Sequence, residues 1–157
     1  MKRLSAISAL CLCITFLCSC GSPPTLNAEF DSSFEVTQDD MLCKGTIKMS
    51  DDALKIAVLE PYTAEGMSFD YVNDSLEISY GEHTTKVNCN YIPAGAIPSV
   101  LHNVLTYIDK AQYLRSEDGE DVYSVTTPYG EAIIKAADGS MLSLEDPYSG
   151  LYFRFYD

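Results

Sequence analysis

Apolar residues recur at every second position over most of this chain. In the first such run Phe34 and Val36 alternate with Ser33 and Glu35. A period of two is typical of β-strands that turn one face to a core and the other to water, as in antiparallel sheets. Further runs follow at 43–49, 54–58, 67–71, 76–80 and 85–91, and strand signals resume after residue 122. The pattern therefore predicts a mainly β chain.

The alternation is interrupted once, after the small residues of 94–96. Pro98 suits the first turn of a helix, where its missing N–H is not needed. The next apolar residues fall on one helical stripe: Val100, Leu101, Val104, Leu105 and Ile108. We expect an amphipathic helix near 98–113 that packs on the sheet and turns His102 to solvent. The predicted fold class is mainly β (α+β), a curved antiparallel β-meander or incomplete barrel with this one helix.

The first twenty residues have a different composition. Met1-Lys2-Arg3 is basic, residues 6–16 are almost all apolar, and small residues surround a cysteine at position 20. A basic start, an apolar run too short to span a bilayer and a small-residue site are typical of a secretory signal. Its removal leaves about 137 residues, enough for one compact domain.

The end of this segment, Leu17-Cys18-Ser19-Cys20, resembles the lipobox of bacterial lipoproteins. The resemblance implies that Cys20 becomes the first residue and carries a covalent lipid such as palmitate. The protein would then be extracytoplasmic and anchored to the cell membrane by lipid alone, and it would need no other cofactor. An ordinary signal peptide, or a buried helix that contains Cys20, is the alternative.

The chain divides into three parts on this view. Residues 1–20 are the signal peptide, and residues 21–28, which include Pro23 and Pro24, are expected to be a flexible tether. Residues 29–157 form a single β-rich domain.

The charge of the chain excludes some partners. The net charge is −13, and it approaches −15 once Lys2 and Arg3 are removed with the signal. Nucleic-acid binding needs Lys and Arg to neutralise phosphates, so we expect no nucleic-acid partner. Binding of the protein surface to anionic lipid is also disfavoured, because like charges repel.

Only two cysteines remain after the signal, Cys43 and Cys89. Both fall on the apolar phase of their strands, in a compartment where disulfides persist. A simple meander separates the second and sixth strands, and bridged α-carbons must approach to about 7 Å. A disulfide and two unlinked core cysteines both remain open.

The sequence carries no pattern that indicates an enzyme or a metal site. His83 is placed in a turn and His102 on a solvated helix face, without the spacing of a zinc motif. The acidic stretch at 116–121 is expected to be a loop and lacks the spacing of a calcium loop. We therefore expect a protein that is not an enzyme and has no metal ligands.

The order of elements also resembles a known group. A meander with Pro61, Gly66 and Phe69 in one turn is followed by a hairpin ending at Tyr80-Gly81, a helix and more strands. This resembles small Gram-positive lipoproteins related to the LolA-like, outer-membrane-lipoprotein-sorting group. The resemblance implies an incomplete, strongly curved barrel with an apolar concave face.

Two functions remain open. The first is a binding scaffold that holds a lipid or acyl chain on its concave face. The second is a surface interaction or structural module with a dry core, whose partner is an envelope protein. A small-molecule site has a cavity of about 300–1,000 Å³, whereas a dry core is packed to a density of about 0.75. The apolar face in question is formed by Ile47, Ile56, Val58, Phe69, Ile78 and Val87.

Overall fold

The structure is a computed structural model that describes residues 24–50, 53–72 and 75–156. Cys20 and the predicted signal lie outside the described residues. The strands are β1 (Phe30–Gln38), β2 (Met41–Ser50), β3 (Ala53–Glu60), β4 (Met67–Val72), β5 (Ser75–Tyr80), β6 (His83–Asn88), β7 (Gln112–Glu117), β8 (Glu120–Thr127), β9 (Gly130–Ala137), β10 (Ser140–Asp146) and β11 (Leu151–Tyr156). The described α-helix is α1 (Ile97–Thr106), and short 3₁₀ turns lie at Tyr62–Ala64, Cys89–Tyr91 and Ile108–Lys110.

The eleven strands form one sheet in the order β6-β5-β4-β3-β2-β1-β11-β10-β9-β8-β7. Each pair is antiparallel, and β1 joins the two halves by pairing with β11, Val36 opposite Phe153. In a flat sheet β4 and the β8–β9 turn would lie about 30 Å apart, at about 4.8 Å per strand. Tyr71 of β4 and Tyr129 of that turn nevertheless line one pocket. The sheet is therefore strongly curved and open, as predicted.

The core lies on the inner face of this curve, where side chains from both halves of the sheet meet the helix. Phe34 and Phe153 contribute the two largest fully buried side chains, with ring centroids 6.2 Å apart. Other fully buried residues include Ile47, Ile56, Leu76, Leu101, Leu105, Ile134, Leu144 and Leu151.

Helix α1 begins as predicted, with Pro98 in its first turn, but it ends at Thr106 rather than near residue 113. The chain then makes a 3₁₀ turn that keeps Ile108 buried. Gln112 already pairs with Ser124 in the sheet. The apolar stripe continues through Ile108 although the α-helical backbone has ended, so the spacing of apolar residues alone overestimates the helix.

The acidic stretch at 116–121 is a β-hairpin, and its prediction as a loop is wrong. Asp118 and Gly119 both have positive φ, 56° and 86°. This is the backbone of a two-residue turn that matches the twist of antiparallel strands. The predicted hairpin at Asp138-Gly139 has the same geometry, with φ of 51° and 81°.

The start of the described chain is held against the domain. Leu26 packs on the core, and the backbone of Asn27 is hydrogen-bonded to Gly139. The described part of the predicted flexible tether is therefore docked. Within the described ranges, no helix is long and apolar enough to cross a membrane.

Candidate functional site

The residues predicted as an apolar ligand face lie together on the inner face of the sheet. Four of them form one row across β2 to β5. The register pairs Ile47 with Ile56, Ile56 with Phe69, and Phe69 with Ile78. The row ends at Thr85 of β6, opposite Ile78. The period-two spacing predicted the face, and the register aligns the four residues across it.

Exposure rises along this row. Ile47 and Ile56 are 0% and 1% exposed, because they lie under the shared core. Farther along, toward the edge strand β6, the same face is only half covered. The buried members of the predicted face are Ile47, Ile56 and Val58, and the half-buried members are Phe69, Ile78 and Val87.

We call the half-covered end of this face the open strip. It consists of the half-buried side chains together with the two residues that end the same face, Met67 and its partner Tyr80. Tyr80 is 48% exposed. Aromatic and branched side chains supply most of the area of apolar binding surfaces. The open strip is Met67, Phe69, Ile78, Tyr80 and Val87.

A pocket of about 180 Å³ adjoins the open strip. Tyr71 lies two residues beyond Phe69 on the same face of β4, and Cys89 lies two residues beyond Val87. The helix contributes Ser99 to the opposite wall. We call this the Tyr71 pocket; it is lined by Tyr71, Cys89, Asn90, Ile92, Ala94, Ser99, His102, Asn103 and Tyr129.

The hydroxyl of Tyr71 is the most constrained polar group in this pocket. It is buried, and it has no hydrogen-bond partner within the described part of the chain. Burial raises the pKa of Tyr71 to about 12, against a smaller opposing effect of Ser99. The hydroxyl therefore stays protonated at physiological pH and is a hydrogen-bond donor. A water molecule or polar group that accepts a hydrogen bond from this buried donor would be stabilised here.

His102 lies inside the Tyr71 pocket, and its predicted position in solvent is wrong. Its ring stacks on Tyr71 with centroids 4.2 Å apart and planes within 13°. Burial lowers the pKa of His102. The helical period places His102 away from Val104, but the curved sheet brings β4 against that side of α1.

This stacking leads to a prediction for His102→Ala. Since an aromatic pair contributes about 0.5–1.5 kcal/mol, the substitution should lower the free energy of unfolding by about 1 kcal/mol. Thr106→Ala, at an exposed position of the same helix, should change it by less than about 0.5 kcal/mol. Denaturant unfolding at pH 7.5 measures both variants. Equal effects would mean that the His102 ring is not packed in solution.

The lowered pKa of His102 also predicts a pH dependence. As the pH falls below about 6.5, the unfolded chain binds a proton at this residue that the folded chain does not. The free energy of unfolding should therefore decrease with acidity until the lower folded pKa is reached. In His102→Ala this part of the profile should be flatter than in the wild-type protein. Parallel profiles would contradict a buried neutral His102.

The two cysteines are not joined to each other in the structure. Cys43 is buried on β2, where burial raises the pKa of its thiol. Cys89 lies in the 3₁₀ turn after β6. In the sheet, β3, β4 and β5 separate β6 from β2, which carries Cys43. The sequence left a disulfide between these two residues open, and the structure contains none between them.

The side chains suited to metal binding lie apart from one another in the part of the chain that the structure describes. Among the described residues no three His, Cys, Asp or Glu side chains are placed to hold a metal ion. His83 is exposed at the start of β6, away from the Tyr71 pocket.

Two further cavities lie at other places in the domain. One of about 230 Å³ lies beside Phe30 and Phe155, and one of about 170 Å³ lies beside Leu26 and Tyr123. These and the Tyr71 pocket are each smaller than the 300–1,000 Å³ that is usual for a small-molecule site, by about a quarter or more.

The outer face of the sheet carries charged side chains, and most of its Lys and Arg residues form ion pairs. Two cations without an acidic partner lie over aromatic rings, Lys110 over Tyr107 at 4.8 Å and Arg154 over Tyr152 at 5.7 Å. Every Lys and Arg of the described ranges is thus engaged, while acidic residues remain in excess. The ion pairs are Lys44–Glu60, Lys48–Asp31, Lys55–Asp70, Lys86–Glu77, Arg115–Glu117 and Lys135–Glu120, at 2.9–3.7 Å.

The sequence matches no protein-family model, and no curated protein is significantly similar to it. Solved structures similar to this chain include a LolA superfamily protein from Nitrosomonas europaea, at 12% identity and a TM-score of 0.48, with 86% of each chain covered. A chain of the complex between the CwlD amidase and the GerS lipoprotein of Clostridioides difficile is similar at 16% identity and a TM-score of 0.43, with 74% of each chain covered. A domain described as an outer membrane lipoprotein-sorting protein from Vibrio parahaemolyticus is similar at 9% identity and a TM-score of 0.44, covering 81% of this chain and 82% of that one. The first and third of these belong to the group that the sequence resembles.

Proposed function

We propose that this protein is a lipid-anchored, extracytoplasmic binding scaffold without enzymatic activity. Its anchor would be the lipid on Cys20, and its binding surface would be the open strip, which holds an acyl chain or another elongated apolar group. The polar Tyr71 pocket at the end of the strip would receive an uncharged hydrogen-bonding group of the same ligand.

The change in exposure along the inner face carries this proposal. Here the row that begins at the buried Ile47 continues to Ile78, which is only partly buried. Each side chain of this size gains about 1.5–3 kcal/mol when it leaves water completely. An apolar chain laid on the strip would recover part of that free energy.

The chemistry of the pocket beside the strip supports a ligand whose polar group is uncharged. The polar groups that line the adjoining pocket are hydroxyls, amides, a thiol and an imidazole, with no carboxylate, Lys or Arg among them. Because burial lowers its pKa, His102 is neutral at physiological pH. An anionic headgroup would therefore find no charged partner in the Tyr71 pocket.

Ligand binding can be tested with matched variants of one strand. The wild-type protein, purified from its own membrane, is first analysed by native mass spectrometry for a bound lipid. Binding of a fluorescent monoacylglycerol, whose headgroup is uncharged, is then measured for Ile78→Ser, on the open strip, and for Ser79→Ala, on the outer face of the same strand. Loss of the Ile78 contact should weaken binding about tenfold, equivalent to about 1.4 kcal/mol. Ser79→Ala should leave binding within about twofold of wild type.

A surface interaction module is the second candidate, and the small volumes of the described cavities favour it. In that case the open strip contacts an apolar segment of an envelope protein. The same experiment separates the two. Absence of bound lipid and of monoacylglycerol binding would reject the lipid scaffold. Unchanged binding in both variants, with unchanged folding by circular dichroism, would place the ligand elsewhere.

A further inference from the structure

Residues 24–27, which we call the strap, are fixed to the domain at both ends. At one end the hydroxyl of Tyr123 donates a hydrogen bond of 2.6 Å to the carbonyl oxygen of Pro24. At the other end the N–H of Asn27 donates a hydrogen bond of 3.0 Å to the carbonyl oxygen of Gly139. Between them Leu26 packs against the core. The strap thus crosses from the β9–β10 turn to β8.

Gly139 allows the close approach of the strap. A Cβ atom built there would lie 2.8 Å from the carbonyl oxygen of Thr25 and 3.3 Å from the side chain of Asn27. The residue also has a φ of +81°, which the hairpin turn requires. A side chain at this position would therefore disturb both the turn and the strap.

Tyr123 connects the strap to the surface near β7. Its ring meets Tyr113 edge to face, with centroids 5.7 Å apart. The strap, the 3₁₀ turn at Ile108–Lys110 and Tyr113 surround one small cavity. Pro24 therefore lies at this corner of the domain, next to the first residues of the edge strand.

Chain length then limits where the anchor can be. Three residues lie between Cys20 and Pro24. The four steps from one α-carbon to the next cover at most about 3.6 Å each in a fully extended chain, or about 14 Å in all. A tether that was free as far as Ala28 would reach about 29 Å by the same measure. Docking of the strap therefore halves the distance that can separate the anchor from the domain. It also fixes Pro24 as the residue at which the connection to the anchor leaves the domain.

We infer that the strap sets how the domain sits on the membrane, with the corner formed by Pro24 and Tyr113 against the lipid bilayer. This inference rests on the proposed lipid anchor at Cys20. Tyr113 and Leu114 are exposed side by side on β7, 40% and 46%. Tyrosine suits the bilayer interface, since its ring is apolar and its hydroxyl remains hydrated.

The absence of tryptophan from the sequence makes the orientation measurable. Full-length lipidated protein carrying either Tyr113→Trp or Tyr62→Trp is reconstituted into vesicles of brominated phosphatidylcholine. Tyr62 is 86% exposed in the turn after β3, at the end of the strands opposite the Asp138-Gly139 turn. Bromine should reduce the fluorescence of Tyr113→Trp at least twofold and leave that of Tyr62→Trp unchanged.

A longer connection provides the control. Twenty Gly and Ser residues inserted between Gly21 and Ser22 add a root-mean-square reach of about 25 Å without altering the strap. The insertion should abolish the quenching of Tyr113→Trp while the protein stays bound to the vesicles.

Three results would overturn the inference. Equal quenching at both positions would mean that the domain has no fixed orientation. Quenching that survives the insertion would mean that the surface binds lipid without the strap. A mass spectrum without lipid on Cys20 would remove the anchor as well, and only this third result rejects that part of the proposed function.

Discussion

Replacing Gly45 with valine is expected to lower the free energy of unfolding by about 3 kcal/mol, the upper part of the range for overpacked cores. A Cβ atom at this position would collide with the carbonyl oxygen of Ala57 and lie 2.7 Å from the ring of Phe34. Ala57 presents backbone on the neighbouring strand, and Phe34 is fully enclosed in the core. Neither atom can move without displacing β3 or the largest buried ring.

Denaturant unfolding measures this effect, and Thr46→Val is the matched control. Thr46 is the next residue on β2, exposed on the outer face. The same side chain introduced there should change the free energy of unfolding by less than about 0.5 kcal/mol. If Gly45→Val were as stable as Thr46→Val, β2 and β3 would have to be farther apart than the structure shows.

Substituting Cys20 with alanine should move the protein from the membrane fraction to the medium or leave it unprocessed. Without the Cys20 thiol no lipid can be attached, so the protein loses its covalent anchor. Its acidic surface is not attracted to anionic membranes and cannot replace that anchor. Fractionation and labelling with radioactive palmitate measure the change. Cys18→Ala is the control and should remain labelled and membrane-bound. Palmitate that persists in Cys20→Ala would reject Cys20 as the modified residue.

The alternation of apolar residues predicted the strands well where one face is buried. In β2 and β3, for example, Ile47 and Ile56 belong to runs in which every second residue is apolar, and both are buried in the core. The same rule missed β7, in which every residue is exposed. An edge strand in contact with water on both faces has no apolar alternation, so its sequence does not differ from that of a loop.

The candidate site was predictable only in part, because its assembly depends on curvature. The residues of the open strip follow from the period of two. The stacking of His102 on Tyr71 does not, since it requires β4 to bend under α1. The same holds for the strap: Pro23 and Pro24 indicate an extended segment, but only the position of Tyr123 shows that it is docked.

The pairing of cations on the outer face has a consequence for many copies of this protein on one membrane. Within the described residues each Lys and Arg is already engaged, so two neighbouring domains meet with uncompensated carboxylates. At physiological ionic strength this repulsion acts over about 8 Å. If the domains are anchored in the plane of a bilayer as proposed, this repulsion favours dispersed domains over clustered ones and leaves the open strip of each domain uncovered by its neighbours.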